Sequence, residues 1–288
     1  MALGIVSKTP VDATLSPGPL GPFQLQELIN RGGMADVWIA TCQDGSVAAF
    51  RCFRSADEKL NRTDRKRFMR GCEVLKDIHE HEFIIGYKEH GKIEGMPYLL
   101  MEFVESTNLK LLLSRSDDVL HEHVGNILID MAEGLEYIHD QGYMHLDFKP
   151  ENILVTPNGG VRVVDFDLTI PKPEKPKKTS DNPGTPAYMS PEQLLRKPFD
   201  HRADIFAFGV CAYELLTFRK PFPGAKPKEI LLQELGQSDH PLIAPREIND
   251  SIPKAMEDVI LKCLNKDPDQ RYPYMSVLTR DLHRALYV

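Results

Sequence analysis

The sequence predicts an α+β fold in which a small β-rich part precedes a larger helical part. From Phe23 to about Phe53, apolar residues alternate in short runs around a glycine turn, which is typical of strands, and two more strands follow a helix at about 83–90 and 96–103. After Glu105 they recur at spacings of three and four over long stretches, which is typical of helices. We therefore expect a mobile tail at 1–20, a β-rich lobe at 21–104 and a helical lobe at 105–288.

The composition fits a globular protein that binds neither nucleic acid nor a membrane surface. The 288 residues are 42% hydrophobic and carry a net charge of −7, enough for one domain of two lobes. No apolar run approaches the roughly 18 residues of a membrane span. The cysteines are scattered without pair spacing, so we expect buried thiols in a reducing cytoplasm rather than disulfides or a zinc site. They are Cys42, Cys52, Cys72, Cys211 and Cys263.

The elements follow from these patterns. Charged residues 57–67 precede a helix whose apolar face carries Phe68, Cys72, Leu75 and Ile78. Between 142 and 169 the pattern is one of short strands and loops. The other strands are expected at 23–29, 37–40, 46–50, 83–90 and 96–103, and the other helices at 107–114, 121–139, 203–217, 226–235, 254–264 and 274–286.

The stretch 171–180 is rich in proline and lysine, so it cannot be a helix interior or a central strand. Two interpretations stay open. It is either a solvated mobile loop or a docking or regulatory segment that carries Thr179 and Ser180.

The stretch Tyr143-Met-His-Leu-Asp-Phe-Lys-Pro-Glu-Asn152 carries the clearest chemical signal. It places Asp147, Lys149 and Asn152 within six residues. A base, a cation and a metal ligand are what phosphoryl transfer requires. The stretch closely resembles the catalytic loop of eukaryotic-type protein kinases, His-Arg-Asp-Leu-Lys-Pro-Glu-Asn.

Further motifs in the order and spacing of a protein kinase domain extend this resemblance over about 23–286. Asn30-Arg-Gly-Gly-Met-Ala-Asp-Val37 and Gly184-Thr-Pro-Ala-Tyr-Met-Ser-Pro-Glu192 resemble the bacterial Ser/Thr kinases most. The resemblance implies a bilobal protein kinase-like fold, with a small β-rich N-lobe and a larger helical C-lobe.

The resemblance also implies a site that uses ATP and Mg²⁺. Asp147 would be the base and Lys149 the γ-phosphate contact, while Asn152 and Asp165 would hold the metal through hard oxygen ligands. Met101 would stand just before the hinge 102–104. The implied nucleotide-binding residues are Ile29, Gly32, Val37, Ala49, Arg51, Met101, Glu102, Val104 and Leu154.

Structural markers of the family are present as well. Glu192 with Arg271 resembles its buried ion pair, and Asp204 resembles the residue that anchors the catalytic loop. The stacked apolar column of the family would consist of Leu75, Tyr87, His145 and Phe166.

The phosphate-binding side of the site departs from the family. Of the glycine-rich pattern only Gly32 is kept. Arg51 replaces the strand lysine, and a planar guanidinium does not substitute for a compact ammonium. The Arg51 guanidinium would either hold the phosphates out of line for transfer or pair directly with Asp165. The glutamate that pairs with that lysine falls at Gly71, and Glu73 is rotated by about 200° unless the helix register shifts.

Two further departures concern control and metal binding. Leu146 replaces the arginine that receives an activation-segment phosphate, so that switch is expected to be absent. Asp167 replaces the glycine of the D-F-G motif, which adds negative charge and stiffens the turn.

These residues favour a pseudokinase or very weak Ser/Thr kinase that binds ATP weakly and signals through a protein partner. The alternative is an active Ser/Thr kinase in which Arg51 or Arg31 supplies the cation, with a protein as substrate. A third hypothesis is that Lys172, Lys175, Lys177 and Lys178 bind an acidic partner and hold the cleft shut.

Overall fold

A computed structural model describes residues 15–54, 58–179, 181 and 183–286, and only the backbone at 58–61. The chain forms two compact units. The first is Met1–Lys76 with Gly86–Val104, and the second is Asp77–Ile85 with Glu105–Val288. Residues 1–14 of the expected tail and the candidate modification site Ser180 lie outside the described residues.

The first unit is built on a six-stranded antiparallel sheet. Its strands are β1 (Gly18–Leu20), β2 (Phe23–Arg31), β3 (Ala35–Thr41), β4 (Val47–Phe53), β5 (Tyr87–Ile93) and β6 (Met96–Glu102). They are arranged in the order β1-β2-β3-β4-β6-β5. The tail prediction was wrong at its end, because Gly18–Leu20 form an edge strand that pairs with Phe23–Leu25.

The two faces of this sheet are sharply different. Since successive side chains on a strand point to opposite faces, each strand contributes to both. One face holds an apolar core around Trp38 and Phe50, which are 2% and 0% exposed. Phe50 stacks on Tyr98 with ring centroids 5.2 Å apart. The alternate positions, including Ala49 and Arg51, therefore belong to the opposite face.

The helix of the first unit is longer than expected. Helix α1 runs over Glu58–Ile78, so the charged stretch 57–67 lies largely inside the helix rather than before it. The predicted apolar face is confirmed: Phe68, Cys72 and Leu75 are at most 1% exposed. Many charged residues form good helices when one face is apolar, because the charges then lie on the solvent side.

The second unit is mainly helical, as expected. Each predicted helix is found within a few residues of its expected bounds, apart from 107–108, which form a short strand. Two four-residue helices, α4 and α7, were not predicted. The helices are α2 (Leu109–Arg115), α3 (Asp118–Asp140), α4 (Pro191–Leu194), α5 (Arg202–Thr217), α6 (Pro227–Glu234), α7 (Pro245–Ile248), α8 (Lys254–Cys263) and α9 (Met275–Leu286).

Helix α5 forms the centre of this unit and is buried on nearly every side. A Cβ added at Gly209 would come within 2.6 Å of the Cβ of Cys263 on α8, so the glycine permits the close approach of the two helices. Beside α5, Arg271 makes a bidentate ion pair with Glu192 at 2.7 and 2.8 Å. The Arg271 side chain is 0% exposed, which confirms the buried pair.

Short strands order the chain just before α2 and the loops between α3 and α4. Strands β7 (Thr107–Asn108), β9 (Ile153–Val155) and β10 (Val161–Val163) form one small sheet, and β8 (Tyr143–Met144) pairs with β11 (Ile170–Pro171). The stretch 171–180 is therefore not a wholly mobile loop. Its first residue lies in β11, and Lys177 exchanges two backbone hydrogen bonds with Phe199.

Within the described residues, no helix is long and apolar enough to cross a membrane. All five cysteines are free thiols; four are buried and Cys42 is half-buried.

Candidate active site

The loop after β8 brings together the three residues predicted to carry phosphoryl transfer. The Asp147 carboxylate lies 2.7 Å from the Lys149 ammonium. Asn152, in a 3-10 turn over Pro150–Asn152, donates its amide N–H groups to the Asp147 carbonyl at 2.9 Å and carboxylate at 3.1 Å. These bonds fix the carboxylate between an ammonium and an amide.

The protein environment also shifts the pKa of Asp147. Burial raises the pKa of this carboxyl, although the neighbouring Lys149 ammonium works in the opposite direction. A raised pKa makes the carboxylate a better proton acceptor. Asp147, Thr185 and Tyr188 line a small cavity beside the loop.

Asp204, near the start of α5, holds the loop in place. Its carboxylate accepts the backbone N–H groups of His145 and Leu146, each at 2.8 Å, and contacts the His139 ring at 2.8 Å. The residue is 1% exposed. Burial alone would raise its pKa, but these hydrogen bonds outweigh burial and leave the pKa below its usual value. Asp204 is therefore an ionised anchor of the loop.

The predicted metal ligands Asp165 and Asn152 lie on adjoining segments. Val164 donates its N–H to the Asn152 carbonyl at 3.0 Å, which places Asp165 directly beyond Asn152. Asp165 has a left-handed backbone with φ of 65°, a conformation that aspartate tolerates better than most residues. Because the Asn152 amide nitrogen bonds Asp147, its amide oxygen is the atom left for a cation.

This pair of oxygen donors fits Mg²⁺, which prefers one or two carboxylates together with phosphate oxygens. Over the described ranges, no three His, Cys, Asp or Glu residues cluster closely enough to hold a metal by themselves. A magnesium ion here would therefore depend on phosphate ligands.

The implied nucleotide residues other than Leu154 all belong to the first unit. Ala49 on β4 is in register with Met101 on β6, and Val37 on β3 is in register with Arg51. These positions lie on the sheet face opposite the Trp38 core. Glu102 accepts the Gly86 N–H at 2.9 Å, and Ile29 is 49% exposed. Leu154 lies on β9 of the second unit, in register with Asn108.

Helix α1 lies beside Arg51, and its contacts show the surroundings of the two residues that replace the lysine–glutamate pair of the family. The Arg51 guanidinium stacks over the Phe68 ring of α1 at 4.9 Å. Gly71 and Cys72 follow Phe68 by three and four residues and share its helix face, and neither carries a carboxylate. Glu73 points elsewhere: its carboxylate contacts the His90 ring on β5 at 3.1 Å and is 60% exposed. The register shift that would rescue Glu73 does not occur.

Two tethers in the glycine-rich turn were not predicted. Arg54 donates to the Gly32 carbonyl at 2.8 Å and forms an ion pair with Asp36 at 3.2 Å. Arg31, one of the candidate phosphate cations, also pairs with Asp36 at 3.6 Å. Asp36 is 2% exposed on a strand. The sequence did contain a signal for these ion pairs, because Asp36 is a charged residue between the apolar residues Ala35 and Val37 of a strand.

Comparison with known proteins assigns the family. The family described as "Protein kinase domain" matches residues 23–282. The chain belongs to the protein kinase family. It is 32% identical over 274 residues to a "probable serine/threonine-protein kinase" of Streptomyces coelicolor, covering 92% of this chain and 40% of that protein. It is also 32% identical to the "probable serine/threonine-protein kinase PknB" of Corynebacterium glutamicum, covering 91% and 42%.

This kinase domain thus spans about two fifths of the length of these relatives. Another similar protein is the "serine/threonine-protein kinase PknH" of Mycobacterium bovis, at 29% identity over 269 residues, 92% of this chain and 44% of that protein. All three names describe Ser/Thr kinases of bacteria.

In this kinase domain Leu146 has an apolar role. Its side chain packs against a cluster of Met144, Phe199 and Ala203, together with Ile170. Its backbone has a φ of 62°, held by the hydrogen bond to Asp204. Leu146 in the catalytic loop and Ile170 in the activation segment (residues 165–192) thus pack against the same apolar cluster.

One further contact of the kinase domain was missed. The Lys149 ammonium donates to the Thr185 hydroxyl at 3.0 Å, which links the catalytic loop to the end of the activation segment. The motif around Gly184 was recognised as a family marker, but nothing in its residue types indicated a partner for Lys149. His145 and Phe166, both expected in the apolar column, contact each other with ring centroids 5.3 Å apart.

Proposed function

We propose that this protein is a kinase-fold signalling protein that works by binding another protein, with weak ATP binding and with phosphotransfer that is absent or very slow. The observation that carries the proposal is the direction of Glu73. Its carboxylate contacts His90, while the Arg51 guanidinium lies over Phe68, and Gly71 on the helix face of Phe68 has no carboxylate. The lysine and glutamate that orient the phosphates in the family are thus both replaced.

General rates indicate the size of the defect. Losing one preorganised electrostatic contact lowers a rate by about 10²–10³. The lysine and glutamate act as one unit, so the two losses do not multiply. Since kinases turn over at roughly 1–100 s⁻¹, we expect about 0.1 s⁻¹ or less.

The residues that fit ATP and Mg²⁺ support retained nucleotide binding. Asp165 and Asn152 supply oxygen ligands, and Lys149 supplies a cation beside Asp147. A bound Mg²⁺ would neutralise phosphate charge.

Free thiols in the described chain support a reducing, cytoplasmic location.

Thermal unfolding with ATP, with and without Mg²⁺, tests nucleotide binding. At a ligand concentration about five times Kd, binding stabilises the folded state by about 1 kcal/mol. This should raise Tm by about 2–4 °C. Asp165→Asn should abolish the magnesium-dependent part of the shift, whereas the exposed control Asp269→Asn should keep it. Equal Tm values with and without saturating ATP would refute nucleotide binding.

A second candidate function is active Ser/Thr phosphotransfer with an arginine anchor. The ordered geometry of Asp147, Lys149 and Asn152 favours it. If it holds, Arg51→Ala should reduce kcat by at least about 10². An active protein whose kcat is unchanged by Arg51→Ala would exclude Arg51 as the anchor.

A further inference from the structure

An exposed group of cations is assembled where the activation segment pairs with the chain before α5. Lys177 and Phe199 exchange backbone hydrogen bonds of 2.9 and 3.1 Å. Their pairing is antiparallel, so Lys178 and Lys197 fall on the same side of the bridge. We define the basic patch as the five exposed residues near this bridge: Lys175, Lys177, Lys178, Arg196 and Lys197.

The backbone that carries the basic patch is tied down on both sides. Strand β11 pairs with β8, and the Lys172 N–H donates to the Gly142 carbonyl at 2.7 Å. The Lys172 ammonium donates to the His139 carbonyl, also at 2.7 Å, so this lysine serves the fold and is not part of the patch. Pro173 and Pro176 restrict the backbone between the tethers. A partner would meet cations on a largely ordered segment, which lowers the entropy lost on binding.

The patch cations form no ion pairs in the part of the chain that the structure describes. Glu174 is an exposed carboxylate in the same segment. Such a concentration of positive charge contrasts with the net charge of −7 of the whole chain. An uncompensated basic surface on an acidic protein attracts acidic partners selectively.

We propose that the basic patch binds an acidic segment of a protein partner. This inference rests on the proposed function in which the protein acts by binding another protein, and it names the charge of that partner. Leu195 adjoins Arg196 and is 37% exposed, so the surface offers an apolar contact beside the cations. Apolar contacts supply much of the energy in peptide recognition, whereas charges supply selectivity and association rate.

A protein segment fits this surface better than nucleic acid does. Recognition of single strands uses aromatic side chains on which bases stack, and residues 171–179 contain none. The net negative charge of the chain also repels a long phosphate backbone.

The test is fluorescence anisotropy with a labelled peptide of about twelve residues, half glutamate with interspersed leucine. Each exposed ion pair between the peptide and the patch is expected to be weak. A peptide with lysine in place of glutamate is the charge control. The patch variant is K175S/K177S/K178S, and a second is R196N/K197S, since the φ of 52° at Arg196 suits asparagine. The matched control K88S/K92S/R115S removes three exposed cations elsewhere.

We expect the acidic peptide to bind, the patch variants to weaken binding by about tenfold, and the control variant to leave it unchanged. Raising the salt from about 50 to about 500 mM should weaken binding further. Thermal unfolding establishes that each variant is folded. No binding, equal weakening by all three variants, or tighter binding of an anionic vesicle or of an oligonucleotide of equal charge would overturn the inference.

A phosphotransfer assay on the same preparation separates the two proposals. Robust transfer with intact patch-dependent peptide binding would defeat the proposed function and leave the inference standing. Negligible transfer with no peptide binding would do the reverse.

Discussion

Arg271 and Glu192 show how much a single residue contributes to the C-lobe. Besides the bidentate pair, Arg271 donates to the Asn265 carbonyl at 2.8 Å and to the Arg202 carbonyl at 3.0 Å. Removing one partner of a buried pair leaves an uncompensated charge, which destabilises by about 3–5 kcal/mol. Arg271→Met should therefore lower the free energy of unfolding by that amount in a urea titration.

The control for this prediction is Arg280→Met. Arg280 is 56% exposed and pairs with Asp281 on the surface at 3.0 Å. Surface pairs contribute about 0–1 kcal/mol. A loss of similar size in both variants would contradict the claim that burial of Glu192 makes Arg271 important.

Glu234 predicts a pH dependence. It is 5% exposed, neither carboxylate oxygen has a hydrogen-bond partner among the described residues, and burial raises its pKa to about 9 from an ordinary 4.5. Between these values the folded state retains a proton that the unfolded state has lost, so stability must fall as pH rises. The contribution is fully present below pH 4.5 and is lost as pH approaches 9.

Glu234→Gln removes this titration. The unfolding free energy of the variant should exceed that of the parent by an amount that grows from near zero at about pH 5 to a few kcal/mol at about pH 8. Urea titrations of both proteins at several pH values measure the difference. A difference that stays constant with pH would show that Glu234 is ionised when folded.

Among individual residues, the sequence predicted those of the catalytic loop better than the residues that bind to them through tertiary contacts. Asp147, Lys149 and Asn152 stand in one short motif, so their proximity followed from the chain itself. The bond from Lys149 to Thr185 spans 36 residues, and the Asp36–Arg54 pair joins neighbouring strands. Such contacts depend on tertiary packing, which residue spacing does not encode.

At the scale of elements, glycines distinguish close helix packing from ordinary helix surface. Ala is favoured over Gly in a helix by about 1 kcal/mol, yet at Gly209 the new Cβ would lie 2.6 Å from that of Cys263. Overpacking costs about 1–3 kcal/mol. Gly209→Ala should therefore lower the free energy of unfolding.

Gly125 on α3 is the matched control. Among the described residues, a Cβ there would meet only Leu286, at 3.4 Å, an ordinary contact. Gly125→Ala should therefore raise stability by up to about 1 kcal/mol. If both substitutions stabilise the protein in thermal unfolding, the packing between α5 and α8 is looser than described.

Elements with strong periodicity were predicted well, and short ones were not. The long helices of the C-lobe have repeating apolar faces, so their bounds were close. Strand β1 has three residues, two of them glycine and proline, and is defined only by pairing with β2. Lys177 is ordered by Phe199, which lies 22 positions away, so the segment pattern alone suggested a loop.

At the scale of the whole molecule, the kinase family and its two-lobed fold were predictable because many motifs occur in order. The activation segment was less predictable. The position where the family has a phosphate-binding arginine is occupied by Leu146, which packs against Met144 and Phe199. The identity of each site residue came from the resemblance, while the direction of Glu73 needed the fold of α1 against β5.

We propose that the catalytic loop of this kinase domain is intact while its phosphate anchor is defective. The most direct test is the rate of phosphate transfer from labelled ATP to a general Ser/Thr substrate with Mg²⁺, for the parent, Asp147→Ala and R51K/G71E. The double variant restores the lysine and glutamate of the family. We expect at most about 0.1 s⁻¹ for the parent and a gain of at least about 10² in the double variant. A parent rate above about 1 s⁻¹ that is lost in Asp147→Ala and not raised in R51K/G71E would contradict the account.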